Sequence, residues 1–405
     1  MSLFSSPRFW FLVALVGVIT FILWKDRDKI QRHSILFFRR TKKGVDKIKS
    51  IADSMPLFWN WYGWIGAVAG IISIPVITYQ LASIVGKMVF QKASIGGPSI
   101  VLPGLVAENH FQAGVSFIPV EYWIIGIGII LVVHELSHGV VASNEGFELN
   151  SVGWIIVGII PGAFVEPKGE QMLPGEDSTI SDMDEDLEGI EGEDQKSGGM
   201  WNQGDWKSRL KVLSAGSWAN YITAGIFLIL ATGLVGAITQ PGPVVYVAEE
   251  GFPAHNAGMD NGSLYSVNGI RTNFVADIQN VSDFIEPGDN VTIWSSEGNF
   301  TVTATRKKGF DGGYIGLRFG ETQRVKSGLK PYEAVLQWLV SLLFTISALN
   351  FGIGLFNMVP AKPLDGGHIV DTLLERFAQD KRKYMRHWSI FVWAVVISMI
   401  LTSVL

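Results

Sequence analysis

The stretch that decides the fold is VEYWIIGIGIILVVHELSHGVVA, residues 120–142. It is long and apolar enough to cross a lipid bilayer as one helix, for which about 20 residues suffice. Close to its end stands the run His134-Glu135-Leu136-Ser137-His138. Ionisable side chains are costly at membrane depth, so we expect this run to face a polar cavity and to serve a function.

The spacing of the two histidines predicts a metal site. Residues four apart lie on one face of a helix, so His134 and His138 can bind the same ion. A catalytic zinc site typically has three protein ligands and one open position. Glu135, next to the first histidine, is placed to take a proton from the attacking water. The alternative interpretation is a polar cluster that only holds helices together.

The third ligand is predicted far along the chain, in NMVPAKPLDGGH, residues 357–368. The prolines and glycines of this stretch are expected to break a helix at membrane depth, where irregular backbone is tolerated only if it lines protein or a water-filled cavity. Asp365 is the preferred ligand, because a carboxylate beside two glycines can approach the ion freely. His368 is the rival.

The composition indicates a multi-pass membrane protein. Of 405 residues, 48% are apolar and 17% are charged, whereas about a quarter are charged in ordinary soluble domains. Six spans are predicted, although each could instead be a buried core helix: 9–24, within 58–85, within 120–142, 212–238, 334–359 and 388–405. The first lacks a basic n-region and a clear cleavage site, so we interpret it as a retained span rather than a signal peptide. The chain has no cysteine, which excludes a disulfide framework and a thiolate metal site.

The distribution of lysine and arginine predicts the orientation. Residues 25–49 contain ten basic side chains, whereas residues 87–121 contain two. Basic loops stay on the cytoplasmic side, so the first loop is expected inside and the second outside. Counting spans forward puts residues 147–211 and the basic loop 381–386 inside, and residues 241–330 outside. The protein is therefore predicted to be a multi-pass protein of the cell membrane.

Two regions between the spans differ in character. Residues 170–194 contain eleven acidic side chains and no basic one, which predicts a solvated, disordered cytoplasmic loop rather than a metal-binding segment. Residues 241–325 contain short β-branched and aromatic runs at 244–247, 264–267, 291–294 and 300–303, which are typical of strands.

Residues 147–165 alternate apolar residues with glycines. This pattern suggests a re-entrant β-hairpin with a free edge, to which a substrate could add as an extended strand. The alternative is a hairpin that only packs under the core helices.

These features divide the chain into five parts. The predicted parts are an N-terminal two-span region with a basic cytoplasmic loop (1–90), an extracytoplasmic loop (91–119), the first part of a membrane core with the hairpin 147–165 and the acidic loop 166–207 (120–238), a β-rich domain (241–325), and the C-terminal core spans with the aspartate motif (331–405). The predicted fold class is mainly α, with about six transmembrane helices, the hairpin and the small β-rich domain.

The motifs resemble those of the site-2 protease family of intramembrane metalloproteases. The resemblance rests on the His-Glu-x-x-His run, on LDGGH at 364–368, on SAGSWAN at 214–220 and on PGAFVE at 161–166, and it covers roughly residues 120–375. Within the β-rich domain, residues 251–259 resemble the PDZ domain of bacterial proteases, the alternative being an unrelated small β domain. One departure is Lys362, which stands where many members have a second proline.

The resemblance implies zinc bound by His134, His138 and Asp365, with Glu135 as the general base. It also implies a transmembrane protein substrate, cleaved within the bilayer in regulated intramembrane proteolysis. Asn220 and Asn357 are weaker candidates for contacts to the substrate, and Asn357 could equally cap the broken helix.

Two other functions stay open. One is a catalytically silent membrane receptor or scaffold that binds zinc, although such a protein has no need of Glu135. The other is a metal transporter, which would need polar sites at several successive depths. The expected partners are a membrane-protein substrate and the bilayer, without nucleic acid, and the sequence leaves the oligomeric state open.

Overall fold

The structure is a computed structural model that describes residues 7–33, 36–91, 100–105, 110–112, 115–157, 160–168, 201, 204–310, 312–375 and 381–404. The acidic loop predicted at 170–194 lies outside the described residues. The helices are α1 (Pro7–Lys25), α2 (Val45–Ser54), α3 (Pro56–Gln91), α4 (Val120–Asn144), α5 (Trp206–Ile238), α6 (Pro253–Asn256), α7 (Val275–Ser282), α8 (Glu333–Asn357), α9 (Asp365–Leu374) and α10 (Lys381–Val404). The strands are β1 (Gln31–His33), β2 (Leu36–Thr41), β3 (Ile100–Gly104), β4 (His110–Gln112), β5 (Val115–Pro119), β6 (Leu149–Val157), β7 (Ile160–Pro167), β8 (Thr239–Ala248), β9 (Asn261–Val267), β10 (Ile270–Arg271), β11 (Asn290–Ser295), β12 (Gly298–Thr303) and β13 (Leu317–Val325).

Six of the described helices are long and apolar enough to cross a membrane, which confirms the predicted number of spans. They are α1, α3, α4, α5, α8 and α10. The prediction was wrong about the loop 381–386, because these residues form the first turns of α10. Lysine and arginine are good helix formers, so a basic run next to an apolar span can extend the helix.

The chain forms two compact units, one of residues 1–228 with 342–405 and the other of residues 229–341. In the first unit, glycines of α3 bring that helix close to α5. A Cβ atom on Gly66 would lie 3.2 Å from Cβ of Trp218, and one on Gly70 would lie 2.6 Å from Oγ of Ser214. Small residues allow such close approach of membrane helices. The second span is therefore an integral part of this unit.

A buried ion pair also links α5 to the end of α4 and, through a hydrogen bond, to α3. Lys211 of α5 binds Glu145, just after α4, at 2.7 Å, and their side chains are 8% and 9% exposed. Lys211 also donates to Oδ1 of Asn60 on α3, and Ser208 donates to the other carboxylate oxygen of Glu145. The buried charges are thus paired and hydrogen-bonded, as burial of charge requires.

The predicted hairpin is formed by β6 and β7, which pair antiparallel from Leu149↔Pro167 to Val157↔Ile160. Two strands that the sequence did not predict extend it into a sheet of order β1-β2-β6-β7. The N-terminal loop thereby covers the edge of β6, and within the described residues β7 keeps an edge without a partner strand. Arg40 of β2 also lies 3.3 Å from Glu166 of β7, so these two strands are linked by charge across β6.

The second unit is built around a sheet of order β12-β11-β9-β8-β13, with β10 paired to β9. All four predicted β runs lie within its strands. The alternating inward residues form its core, with Tyr246, Leu264 and Ile293 almost fully buried. The sequence did not predict β13, whose inward positions alternate with charged and polar residues.

One carboxylate of this unit makes its stability depend on pH. Glu249 accepts hydrogen bonds from Nε of Arg318 at 2.6 Å and from Nζ of Lys307 at 3.0 Å, and these two cations lower its pKa from 4.5 to about 2. Because the folded pKa is the lower one, the stabilisation is complete above the unfolded value and disappears as the pH falls through the folded value.

We therefore expect the unit to open more readily as the pH falls from about 5 to about 3. The chain has no native cysteine, so a single Ala304→Cys substitution at a buried core position can report opening through its protection from a pyridyl disulfide. Glu249→Gln in that background is expected to flatten the pH dependence. The same pH dependence in both proteins would contradict the assignment.

Candidate metal centre

Three potential metal ligands from two helices converge on one point. Nε2 of His134 lies 3.0 Å from Nε2 of His138, and Oδ2 of Asp365 lies 3.3 Å from the first and 3.5 Å from the second. The structure thus brings together the three residues that the sequence predicted as ligands. His368, the rival ligand, is not in this group.

These distances fit a tetrahedral ion. Zinc bonds to imidazole nitrogen and carboxylate oxygen of about 2.0–2.2 Å correspond to ligand–ligand separations of about 3.3 Å. The candidate ligand atom of Asp365, Oδ2, is buried and has no hydrogen-bond partner among the described residues. A buried carboxylate oxygen without a donor is costly, and a cation bound there would remove that cost.

A glycine in α5 leaves space for an ion between the two imidazoles. A Cβ atom on Gly216 would lie 2.3 Å from Nε2 of His138 and 2.7 Å from Nε2 of His134. Any side chain at this position would therefore overlap the space between the ligand atoms. The glycine lets the α5 backbone pass directly beside the centre.

Each imidazole is held from behind by α5. Nδ1 of His138 lies 2.7 Å from the main-chain oxygen of Val212, and Nδ1 of His134 lies 3.1 Å from Nδ2 of Asn220. Both rings consequently direct Nε2 toward the centre. Such contacts behind the ligands fix the orientation of metal-binding histidines.

Glu135 lies beside the ligands and contacts the sheet. Its Oε2 accepts a hydrogen bond of 3.1 Å from the main-chain N–H of Val165 in β7. Because the N–H of Val165 bonds to Glu135, it points away from β6. It therefore lies on the outer edge of the hairpin, the edge of β7 that does not pair with β6. The edge strand and the candidate base are thus in direct contact.

Asp365 is positioned by the predicted break, because α8 ends at Asn357 and α9 begins at Asp365. The irregular backbone between them is satisfied by α10: the indole N–H of Trp388 donates to the Pro360 oxygen, and that of Trp393 donates to the Lys362 oxygen. This is how non-helical backbone is tolerated at membrane depth.

The two glycines after Asp365 let this segment fold back tightly. A Cβ atom on Gly366 would lie 2.3 Å from the main-chain oxygen of Met358, and one on Gly367 would lie 2.3 Å from the carbonyl carbon of Ala361. Both contacts are with backbone, which cannot move aside. The Gly-Gly pair is therefore a requirement of the turn that presents Asp365.

One contact to the histidine helix comes from a span to which the sequence assigned no role. Oη of Tyr62 on α3 lies 2.8 Å from Oγ of Ser137, and Ser137 donates to the main-chain oxygen of Ala215 at 2.9 Å. Ser137 stands between Glu135 and His138. The only sequence signal was a tyrosine near the start of an apolar run, a position where tyrosine is common in membrane helices whatever their function.

Comparison with known proteins gives the family. The family model described as peptidase family M50 matches residues 122–402. The chain belongs to peptidase family M50. Members of this family are membrane zinc metalloproteases, and the donor set of two imidazoles and one carboxylate suits that metal.

An uncharacterized protein of Methanocaldococcus jannaschii is similar along most of the chain. It is 26% identical over 388 residues, which cover 92% of this chain and 88% of that protein. The alignment therefore extends beyond the part that matches the M50 family and includes N-terminal residues.

The two asparagines predicted as contacts to substrate occupy different places. Asn220 is completely buried beside His134, and Asn357 is the last residue of α8. Their predicted roles, like the roles of the metal ligands and of Glu135, stay predictions.

Proposed function

We propose that this M50 peptidase is an intramembrane zinc endopeptidase of the site-2 protease type, which hydrolyses a peptide bond in a transmembrane segment of another protein. The observation that carries the proposal is the convergence of His134, His138 and Asp365 within 3.5 Å. Two of these residues lie on an apolar helix of 25 residues, so the site would act at membrane depth.

The residues divide the chemistry between them. His134, His138 and Asp365 hold the ion, and the chemistry that zinc supplies when bound is polarisation of the scissile carbonyl and activation of water. Glu135 accepts the proton of the attacking water and passes it to the leaving amine nitrogen. The main-chain N–H of Val165 holds the Glu135 carboxylate in place before substrate arrives.

A substrate helix hides its carbonyls in internal hydrogen bonds, so it must unwind and find new partners before cleavage. We infer that the hairpin is re-entrant and that the unwound segment adds to the outer edge of β7 as a further strand. The edge of β6 is covered by β2, and the outer edge of β7 has no partner strand in the part of the chain that the structure describes, which supports this arrangement. Pairing at Val165 would replace its bond to Glu135 and free the carboxylate beside the bound substrate.

The edge of β7 gives a sharp prediction. Outward-pointing N–H groups alternate along the strand, so Ala163 shares the outward side with Val165. Ala163→Pro removes that N–H without removing a hydrogen bond to β6, and we expect cleavage of a transmembrane substrate to slow about tenfold. Ala163→Val, which keeps the N–H, is the matched control. Equal rates for all three proteins would exclude strand addition at this position.

The proposed orientation has the loop 25–49, the hairpin and α10's basic start inside the cell, and residues 241–325 outside. Two contacts support it. Arg8, at the start of α1, binds Glu121, at the start of α4, at 2.8 Å, as expected if both helices start on the outer side. The pairing of β2 with β6 fits a common inner side for the loop and the hairpin.

We further propose that residues 241–325 form a PDZ-like domain, which filters substrates by size or binds a chain end exposed by an earlier cut. The support is a small antiparallel sheet with two short helices, α6 and α7.

The proposal is tested with purified protein and a helical transmembrane substrate in detergent or vesicles. We expect cleavage that a chelator abolishes and that added zinc restores. Zinc binding without cleavage would favour the silent receptor, and flux of zinc across a sealed vesicle would favour the transporter. Cleavage unaffected by removal of all metal would contradict the proposal.

A further inference from the structure

The amide of Asn220 lies behind one of the two histidines. Its side chain is completely buried on α5, and Nδ2 lies 3.1 Å from Nδ1 of His134. The amide oxygen Oδ1 is buried and has no hydrogen-bond partner among the described residues. Gly354 of α8 leaves the space that this side chain fills, since a Cβ atom there would lie 3.0 Å from Cβ of Asn220.

The position of His134 determines where its proton must be. Its Nε2 points at the centre, 3.3 Å from Oδ2 of Asp365. A nitrogen that binds a metal must offer its lone pair, so neutral His134 carries its proton on Nδ1. An Nδ1–H group buried in the protein needs an acceptor, and Asn220 is the group that it faces.

His138 shows the same arrangement with an unambiguous partner. Its Nδ1 lies 2.7 Å from the main-chain oxygen of Val212, and a carbonyl oxygen can only accept. The proton of His138 is therefore on Nδ1, and Nε2 is free to bind. For Asn220 the carboxamide offers both a donor and an acceptor, and a half turn of the amide exchanges the two without changing its shape.

We propose that Asn220 is a positioning residue, whose carbonyl oxygen accepts the Nδ1–H of His134 and so prepares Nε2 to bind the metal. It acts on the ligand rather than on the substrate's oxygen. When Oδ1 of Asn220 faces Nδ1 of His134, the imidazole N–H donates and the amide oxygen accepts. If Nδ2 of Asn220 faced Nδ1 instead, Nδ1 would have to accept, and the proton of His134 would be on Nε2. The inference rests on the proposed zinc site and adds the group that fixes one of its ligands.

Two substitutions test whether Asn220 acts as a hydrogen-bond acceptor or as a donor. Asn220→Asp keeps an oxygen that accepts from Nδ1–H and loses the amide N–H, whereas Asn220→Leu has a similar size and loses both. The zinc affinity of the metal-free full-length protein is measured by competition with a coloured chelator. We expect Asn220→Leu to bind zinc about 10- to 100-fold more weakly, and Asn220→Asp to stay within about threefold of the unchanged protein.

A control and a second readout make the test specific. Asn350 of α8 is equally buried and donates to the main-chain oxygen of Ile346, so Asn350→Leu is expected to leave zinc affinity unchanged. The turnover of Asn220→Asp at saturating zinc is expected to stay within about tenfold, whereas a residue that donates to the substrate's oxygen would lose turnover without losing zinc.

The outcomes are distinct. Unchanged zinc affinity in Asn220→Leu, or a loss in Asn220→Asp as large as in Asn220→Leu, would overturn the inference and leave the proposed function standing. Failure of the unchanged protein to bind zinc would overturn the proposed function itself. If Asn220→Leu does not fold, the affinity of Asn220→Asp and its turnover still decide between an acceptor and a donor.

Discussion

Glu135→Gln is expected to slow cleavage of a transmembrane substrate by about 10²–10⁴-fold, the contribution of a general base. The amide cannot accept the proton of the attacking water, yet its oxygen can still accept the hydrogen bond from Val165 that the carboxylate accepts now. Zinc content is therefore expected to stay unchanged. The measurement is the rate of product formation at saturating zinc, together with the metal content of the same preparation.

The matched control is Glu121→Gln on the same helix. Glu121 lies at the start of α4 and pairs with Arg8, far along the helix from the histidines, so its substitution is expected to leave the rate within about twofold because a partly exposed pair contributes little. Retention of full activity by Glu135→Gln would remove Glu135 from the reaction and would favour another base.

Gly216→Ala is expected to weaken zinc binding by about two orders of magnitude or more and to abolish proteolysis with it. The added methyl carbon would lie 2.3 Å from Nε2 of His138, inside the space that a bound ion and its ligands need. The strongest contacts are with the imidazoles themselves, so the protein can accept the methyl group only by moving the ligands. The measurement is zinc affinity by chelator competition.

Gly225→Ala provides the control on the same helix. Apart from its chain neighbours and the nearby backbone of α5 itself, no atom of the described residues lies within 4 Å of a Cβ built at Gly225. The change is therefore expected to leave zinc affinity and cleavage unaltered, with stability equal or higher by about 1 kcal/mol from helix propensity. If Gly216→Ala bound zinc as tightly as Gly225→Ala does, the centre would have to lie away from α5.

Features that depend on a local sequence pattern could be predicted from the sequence. The six spans follow from runs of apolar residues, and the break before Asp365 follows from its prolines and glycines. The pairing of His134 with His138 follows from helical spacing. The meeting of these residues with Asp365 is harder to predict, because 227 positions separate Asp365 from His138. The broken helix and the two glycines beside the carboxylate favoured Asp365, and the family resemblance implied the same ligand.

Features made by contacts between distant segments were not predictable. Strand β2 contains two adjacent arginines and pairs with β6 more than 100 positions later, so no local alternation marks it as part of the hairpin's sheet. The contact of Tyr62 with Ser137 depends on the close packing of α3 on α4, where a Cβ atom on Gly63 would lie 3.3 Å from Cγ1 of Val141. The hydrogen bond from Val165 to Glu135 depends on where the sheet lies against α4. Each is a tertiary contact, which a single sequence does not encode in its periodicity.

The account depends on one ion shared by α4 and α9, and its most direct test is the zinc content of Asp365→Ala beside Asp371→Ala. Asp371 lies on the same short helix, where it pairs with Lys362 at 2.7 Å. We predict one tightly bound zinc per chain in the unchanged protein and in Asp371→Ala, and its loss in Asp365→Ala. Full zinc content and unchanged affinity in Asp365→Ala would contradict the claim that the two motifs form one metal site.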